Sequence, residues 1–364
     1  MQKVALITGI GGQDGSYLTE FLLNKGYKVR GIIRRASLPN TNRIEHLIKK
    51  YPPSDDLNSS FVVKYADLTD SLSIKNLIEK FQPDEIYNLA SQSHVGISFD
   101  NAESTMNINT LGVLRILETL KQMKSKCKFY QASSSEMFGI SPPPQSETTP
   151  MLPQSPYGIA KLAAYHLTRL YRNAYGLFAA NGILFNHESP RRGYNFVTRK
   201  ITKEIAKIVV GEIDKIHLGN LDAKRDWGFS GEYIQAMWNI LQQDKPDDFV
   251  IATGETHTVR EFLNEAFSLL GLNYEKYLIT NHQFQRPAEV PALLGDSSKA
   301  KMLLGWDPKV KFKEVAYMML EADLKEKLEE TGIIPIEPNI IKEKGYYIEK
   351  AKEIISKNDF HKLL

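Results

Sequence analysis

Residues 3–15 read Lys3-Val-Ala-Leu-Ile-Thr-Gly-Ile-Gly-Gly-Gln-Asp-Gly15. Lys3 to Thr8 is a short apolar run, the pattern of a strand buried on both faces of a parallel sheet. Gly9, Gly12 and Gly15 follow with the spacing G-x-x-G-x-x-G, and Ser16 to Lys25 has helical periodicity. Glycine permits the tight turn and lets backbone approach a pyrophosphate. The helix start then offers unpaired N–H groups and a positive dipole end. The glycine spacing alone would also suit a plain strand-to-helix turn. The strand before it and the helix after it point to a dinucleotide site.

Working outward, Tyr27 to Ile33 reads as the second strand, ending in Arg34-Arg35-Ala36-Ser37. An acidic residue there would bind an adenosine ribose 2′-hydroxyl. Arginines suit a 2′-phosphate, so the expected cofactor is NADP rather than NAD. The competing reading is an exposed basic turn. Further strand–helix units follow. Phe61 to Ala66 leads to Asp67-Leu68, a contact expected at the adenine end. Glu85 to Ala90 leads to Ser91-Gln-Ser-His94, with His94 either a ligand contact or a hydrogen-bonded structural residue. Segments 70–80 and 102–124 read as helices. This alternation predicts an α/β fold with a doubly wound parallel sheet of Rossmann type.

Lys126 to Ala132 predicts another strand, running into Ser133-Ser-Ser-Glu-Met-Phe-Gly139. Ser134, Ser135 and Glu136 then sit at its C-terminal end, the edge where open parallel sheets bind ligands. Tyr157 and Lys161 follow one helical turn apart, on one face of a helix. An ammonium beside a phenol favours the phenolate, which makes Tyr157 a base near neutral pH. Tyr-x-x-x-Lys by itself could be a chance surface pair. With Ser-Ser-x-Glu and the glycine turn it reads as a catalytic set.

Leu177 to Leu184 reads as a strand ending in Phe185-Asn-His-Glu-Ser-Pro-Arg-Arg-Gly193, and Val197 to Val210 as a helix. Two basic loops follow, Leu218 to Gly228 with Lys224 and Arg225, and Gln285 to Val290 with Arg286 and Glu289. Arginine suits phosphate oxygens, although a solvated charged loop would look similar. Helices are expected over Glu232–Leu241, Thr258–Leu269 with a Thr258–Glu261 capping box, Ser297–Leu304 and Lys313–Leu328. Asp248 to Ala252 is a further strand. These segments divide the chain into a dinucleotide-binding domain over 1–185 and a smaller α/β substrate-binding domain over 186–330, partly interleaved with it. A Lys-rich tail over 331–364, read as a peripheral segment or a subunit contact, carries a possible helix near 343–356.

The 364 residues carry a net charge of +3 with dispersed basic groups, which argues against a nucleic-acid stripe or an anionic membrane surface. Cys127 is the one cysteine, so no internal disulfide and no cysteine-based zinc site is expected, nor any metal. No apolar segment approaches bilayer length, and the first strand starts at once, which suggests a soluble cytoplasmic protein.

Together the glycine turn, Ser-Ser-x-Glu and Tyr-x-x-x-Lys resemble the extended short-chain dehydrogenase/reductases that modify nucleotide sugars. Asn186-His-Glu-Ser-Pro-Arg-Arg-Gly193, Leu218 to Gly228 and Arg286-Pro-Ala-Glu-Val290 resemble the GDP-mannose 4,6-dehydratase family, as do Arg43-Ile-Glu-His-Leu47 and Ala252 to Arg260. The resemblance covers roughly residues 3–328. It implies NADP contacts at Gly9, Gly12, Gln13, Asp14, Arg34, Arg35, Asp67, Leu68, Leu89, Gln92, Tyr157, Lys161, His187 and Arg192. It implies catalysis by Ser134, Glu136, Tyr157 and Lys161. It implies GDP-sugar contacts at Ser134, Glu136, Asn186, Lys200, Arg225, Arg286 and Glu289. It implies a homodimer or homotetramer in which the Arg34–Arg43 loop reaches a neighbouring subunit. The implied reaction yields a 4-keto-6-deoxy sugar with loss of water and no net redox change.

Ser134 stands where the family usually has threonine, Ser104 where it has tyrosine, and Pro291 where it has aspartate. GDP-linked manno-heptose is therefore an alternative to GDP-mannose. A simple nucleotide-sugar epimerase or dehydrogenase would not require Glu136 as acid/base, and loss of water from the product discriminates against it. A non-catalytic cofactor-sensing protein would not require the four-residue set at all.

Overall fold

The computed structural model describes residues 2–52, 54, 56–281, 287–337 and 342–357. In chain order the first half places β1 (Val4–Thr8), α1 (Gln13–Asn24), β2 (Lys28–Ile33), α2 (Glu45–Lys50), β3 (Phe61–Tyr65), α3 (Ser71–Phe81) and β4 (Glu85–Asn88). Two short helices, α4 (Ile97–Asp100) and α5 (Ala102–Met106), precede α6 (Gly112–Gln122), β5 (Lys128–Ser134), α7 (Pro156–Tyr175) and β6 (Ala179–Leu184). Then come β7 (Asn186–Glu188), α8 (Val197–Val209), β8 (Ile216–Leu218), β9 (Lys224–Arg225), β10 (Trp227–Phe229), α9 (Ser230–Gln242) and β11 (Asp248–Ile251). The last are β12 (His257–Thr258), α10 (Val259–Ser268), β13 (Leu278–Thr280), α11 (Ser298–Leu304), α12 (Phe312–Glu330) and α13 (Tyr346–Lys357).

Seven strands form one parallel sheet in the order β11-β6-β5-β4-β1-β2-β3. This is the doubly wound α/β architecture expected from the alternation. The chain reverses its winding direction between β1 and β4, and a crevice opens at the C-terminal ends of the strands there. The strands are apolar, yet a buried polar row crosses them near that edge. Thr8 Oγ1 donates to Asn88 Oδ1 at 2.7 Å, and Asn88 Nδ2 to Gln131 Oε1 at 2.8 Å. Each group has its partner, as buried polar atoms require.

The sheet core takes in segments from far down the chain. Tyr233, Ile234 and Met237 of α9, Phe249 of β11 and Ala300 of α11 pack with Ile7, Val29 and Tyr130. A second core joins α8, α10 and α12, with Trp227 and Phe262 beside Phe312. The Thr258–Glu261 capping box of α10 forms as read from the sequence: Thr258 Oγ1 accepts from Glu261 N at 3.0 Å, and Thr258 N donates to Glu261 Oε2 at 2.6 Å. The helix expected near 343–356 is α13, and it is docked: Tyr347, Ile348 and Ala351 are buried in this second core, while Ile333 and Ile336 ahead of it are exposed. Among the described residues no helix is long and apolar enough to cross a membrane.

Candidate active site

Pairs of two- and three-residue strands hold the loops beyond the main sheet. β7 pairs in parallel with β10, setting Asn186 beside Trp227 and His187 beside Gly228. β9 pairs antiparallel with β12, setting Arg225 beside His257. A cavity of about 640 Å³ lies between these loops and the C-terminal sheet edge. Ser134, Glu136, Tyr157 and Lys161 line it together with Leu89, Asn186, His187, Arg192, Lys200, Arg225 and Glu289.

Each catalytic candidate is fixed by local chemistry. β5 ends at Ser134, whose Oγ accepts from Glu136 N at 3.2 Å and so closes a single 3₁₀ turn, Ser135–Met137. That turn aims the buried Glu136 at the cavity. α7 starts cleanly because Ser155 Oγ accepts from Gly158 N at 3.0 Å and Pro156 occupies the first turn. Tyr157 N donates to the buried Ser98 Oγ at 3.2 Å, which ties the helix start to α4. Lys161 Nζ donates to Ala132 O at 2.9 Å and lies 5.7 Å from the Tyr157 ring centroid.

The electrostatics of this pair correct the sequence-based expectation. Burial pushes the Tyr157 phenol up to about 12; a hydrogen bond with Ser134 opposes the rise and the nearby Glu136 charge adds to it. Burial also pulls Lys161 down to about 8, opposed by Asp14. Desolvation therefore outweighs the mutual assistance read from the sequence, and without cofactor the phenol is held protonated. The nicotinamide cation of a bound oxidised cofactor is a charge that would favour the phenolate.

Asp14 and His187 form the opposite kind of pair. His187 Nε2 donates to Asp14 Oδ2 at 2.9 Å, and its Nδ1 donates to Phe185 O at 2.7 Å. Both ring nitrogens face acceptors, so the ring carries both protons as imidazolium. Burial works against that charge, but Asp14 overcomes it and raises the His187 pKa. Burial likewise works against ionising Asp14. The His187 charge and hydrogen bonds from His187, Ser230 and Gln13 hold its carboxyl well below the usual carboxylate range. The imidazole stacks on Tyr233, with centroids 4.7 Å apart.

Arg225 sits between two carboxylates. Its Nη2 lies 3.1 Å from Glu289 Oε1 and 3.8 Å from Glu136 Oε1, while Nη1 donates to Val290 O at 2.8 Å and Lys224 O at 2.9 Å. Arg192 Nε lies 3.1 Å from Glu188 Oε2, and its guanidinium covers the Phe196 ring at 3.7 Å. Lys200 Nζ donates to His217 O at 2.6 Å. His94, left open by the sequence, lines the cavity; its Nδ1 accepts from Ile97 N at 3.1 Å. Arg286 lies outside the described residues. Sequence reasoning missed Ser98, Thr198 and Phe196, which line or brace this cavity and belong to no spacing motif.

The expected cofactor residues divide into two groups. Gly9 has φ +71°, and a Cβ there would stand 2.8 Å from Ala90 N, so only glycine lets β1 turn this closely against the end of β4. Gly12 is the N-cap of α1 and has no side chain to block the first-turn amides. Arg34 and Arg35 follow β2 and are exposed. These positions fit a dinucleotide that carries an extra phosphate. Other expected contacts are engaged within the protein. Gln13 Nε2 donates to His187 O at 3.0 Å, and Gln13 Oε1 accepts from Ser189 Oγ at 2.8 Å. Gln92 Nε2 donates to His94 O and Thr105 Oγ1, both at 3.1 Å. Asp67 Oδ1 accepts from Thr69 N at 2.9 Å, and Leu68 is buried with its carbonyl accepting from Arg115 at 2.8 Å. Arg43, in the loop expected to reach a neighbouring subunit, donates to Arg191 O at 2.6 Å and Gly11 O at 3.3 Å within its own chain.

Comparison with known proteins shows the family. The family model described as GDP-mannose 4,6 dehydratase matches residues 6–319. The chain is 56% identical to GDP-mannose 4,6 dehydratase 2 of Arabidopsis thaliana over 328 residues, covering 89% of this chain and 87% of that one. It is 51% identical to GDP-mannose 4,6 dehydratase of Cricetulus griseus over 343 residues, covering 89% of this chain and 92% of that one. Among solved structures it is similar in fold to RMD from Pseudomonas aeruginosa complexed with NADPH. The TM-score there is 0.73 at 22% identity, over 89% of this chain and 100% of that chain.

Proposed function

The chain belongs to the GDP-mannose 4,6 dehydratase family, and from that premise we propose that it dehydrates GDP-mannose to the 4-keto-6-deoxy sugar. We assign the work to Ser134, Glu136, Tyr157 and Lys161, with NADP held as a resident cofactor. The observation that carries this reading is the convergence of those four side chains on one cavity that Arg225, Lys200 and Glu289 also line.

The cofactor, when bound, supplies the hydride chemistry at C4 and C6. Gly9, Gly12 and the α1 amides would hold its pyrophosphate, and Arg34 and Arg35 its 2′-phosphate. The protein's own groups handle the protons. Tyr157, ionised under the influence of the bound oxidised cofactor, accepts the proton of the sugar 4-hydroxyl, and Ser134, beside it in the cavity, orients that hydroxyl. Lys161 places a positive charge beside the phenolate that forms. The C4 ketone acidifies C5–H, and Glu136 removes that proton. The C6 hydroxyl then leaves as water, taking its proton from Glu136 or through Ser134. Arg225, within 3.8 Å of Glu136 and held by two backbone carbonyls, fixes that carboxylate's position. It also offers donors to the nucleotide diphosphate. This makes the enzyme a hydro-lyase, and the family resemblance implies that it acts as a homodimer or homotetramer.

Incubation with GDP-mannose and NADP should give a product lighter by one water that carries solvent deuterium at C5. Glu136→Gln should still bind substrate but lose dehydration and C5 deuterium incorporation together. A Glu136→Gln variant that turns over like the parent would remove Glu136 from the mechanism. Faster turnover of GDP-manno-heptose than of GDP-mannose would reassign the sugar but keep the chemistry.

A further inference from the structure

The family match ends at residue 319, yet the chain continues through the end of α12 into α13. The docking of α13 is specific. Glu321 of α12 accepts from Tyr347 N at 3.1 Å and Ile348 N at 2.9 Å, so a carboxylate from another helix caps the start of α13. That placement satisfies orphan first-turn donors and complements the helix dipole. Tyr347 OH donates to Glu329 of α12 at 2.7 Å. Gly345, at φ +90°, brings the turn against Tyr317, where a Cβ would stand 2.8 Å from the phenol oxygen. Tyr347, Ile348 and Ala351 are buried against α12.

α12 also holds α8, and α13 touches α8 itself. Asp323, buried, accepts from Arg199 Nε at 2.7 Å and from Thr202 Oγ1 at 2.6 Å. Glu326 accepts from Lys203 Nζ at 2.5 Å. These contacts grip the first two turns of α8, whose Val197, Thr198 and Lys200 line the cavity. Thr198 Oγ1 in turn donates to Glu188 Oε2 at 2.5 Å, and Glu188 pairs with Arg192.

We propose that α13 is a brace for the substrate side of the site: by fixing α12, and by its own contact with α8, it holds the cavity-lining start of α8 in place and so sets affinity for the nucleotide sugar, not the rate of the chemical step. The nucleotide-sugar part of this rests on the function proposed above. Glu321, Tyr347 and Ile348 are positioning residues, since none lines the cavity.

The test uses two full-length variants. Tyr347→Ala with Ile348→Asp undocks α13, and Glu321→Gln weakens its cap alone. Hydrogen exchange is followed over residues 197–205, 312–330 and 346–357, alongside KM and kcat for GDP-mannose and Kd for NADP. A brace predicts faster exchange at 197–205 as well as in the tail, and KM raised about 2- to 30-fold, the range for changes acting through a packed network. It also predicts kcat and the NADP Kd within about twofold of the parent, with Glu321→Gln changing in the same direction but less. Faster exchange confined to 346–357 with KM unchanged would overturn the brace, as would equal losses in KM, kcat and NADP binding. If the undocked variant does not fold, Glu321→Gln decides by the same exchange pattern. If the parent protein does not turn over GDP-mannose, the substrate assignment fails, and exchange at 197–205 still tests the brace.

Discussion

Asp14 and His187 face each other across 2.9 Å, whereas Tyr157 and Lys161 stand a helical turn apart with 5.7 Å between ammonium nitrogen and ring centroid. Both pairs line the same cavity and both are largely withdrawn from water. In the first, a direct ion pair defeats desolvation, and each partner keeps its charge. In the second, desolvation wins on both sides, with the phenol pushed up to about 12 and the ammonium pulled down to about 8. Proximity therefore separates a structural pair from a reactive one. A pair that has already neutralised itself has nothing left to offer a substrate. A pair held apart at a cost in desolvation can be tipped by a charged ligand.

The largest effect that can break this contrast is loss of the phenol. Tyr157→Phe keeps the ring and its packing but removes the one group assigned to the 4-hydroxyl proton. Turnover of GDP-mannose should fall by about 10²–10⁴-fold, the usual contribution of a positioned base. Near-parental turnover would put the base elsewhere.

The next effect concerns Lys161. With its pKa near 8, the free enzyme should lose ammonium charge in the mildly alkaline range, and kcat/KM should decline above about pH 8. Lys161→Arg keeps a charge at every accessible pH but in a bulkier, planar group. Its absolute rate should fall while the alkaline limb disappears from the pH–rate profile. If the limb stays near pH 8 in the variant, it belongs to another group.

How much of this contrast was legible in the sequence follows from chain distance. Tyr157 and Lys161 announce themselves because helical geometry makes i and i+4 neighbours. Ser134 and Glu136 are legible because strand ends are marked by the shift from apolar to polar residues. The glycine turn is legible for the same local reason. Asp14 and His187 lie 173 residues apart, and no local pattern reports their contact. The resemblance named each as a cofactor contact, but not that they bind each other. Arg225 and Glu136 were likewise named separately, and their approach depends on the β9–β12 pairing, whose strands are too short to leave a periodicity. The helix of the tail is legible near 343–356, but its docking is not, because Lys344, Lys350 and Lys352 mask an apolar face of Tyr347, Ile348 and Ala351, with Tyr346, Ile354 and Ile355 partly buried beside them.

Removing one charge of the structural pair should cost stability more than chemistry. Breaking a fully buried ion pair costs about 3–5 kcal/mol. The Asp14 side chain keeps 21% of its surface exposed, so solvent screening lowers the expectation for Asp14→Asn to about 2 kcal/mol. Chemical denaturation should show that loss with an unchanged m-value. NADP-saturated kcat should fall less than tenfold, because Asp14 takes no proton in the reaction. A kcat loss as large as that of Tyr157→Phe would erase the distinction between the two pairs.

The smallest effect is the pH dependence of that same stability, and its sign can be worked out from each partner. The Asp14 pKa is depressed below 3.8 in the fold, so its contribution is complete above 3.8 and is lost as pH falls through the folded value. The His187 pKa is raised above 6.5, so its contribution is complete below 6.5 and is lost as pH rises through the folded value. The pair is thus worth most between about pH 4 and 6.5 and fades on either side. His187→Gln removes the titrating ring and leaves every other ionisable group in place. The unfolding free-energy difference between parent and His187→Gln should form a plateau across that window. On the alkaline side it should shrink as pH rises through the raised folded value of His187. A difference that instead falls as pH drops below about 6.5 would mean that His187 is held neutral in the fold. The contact with Asp14 would then be an ordinary hydrogen bond, and the two pairs at this cavity would differ in distance but not in kind.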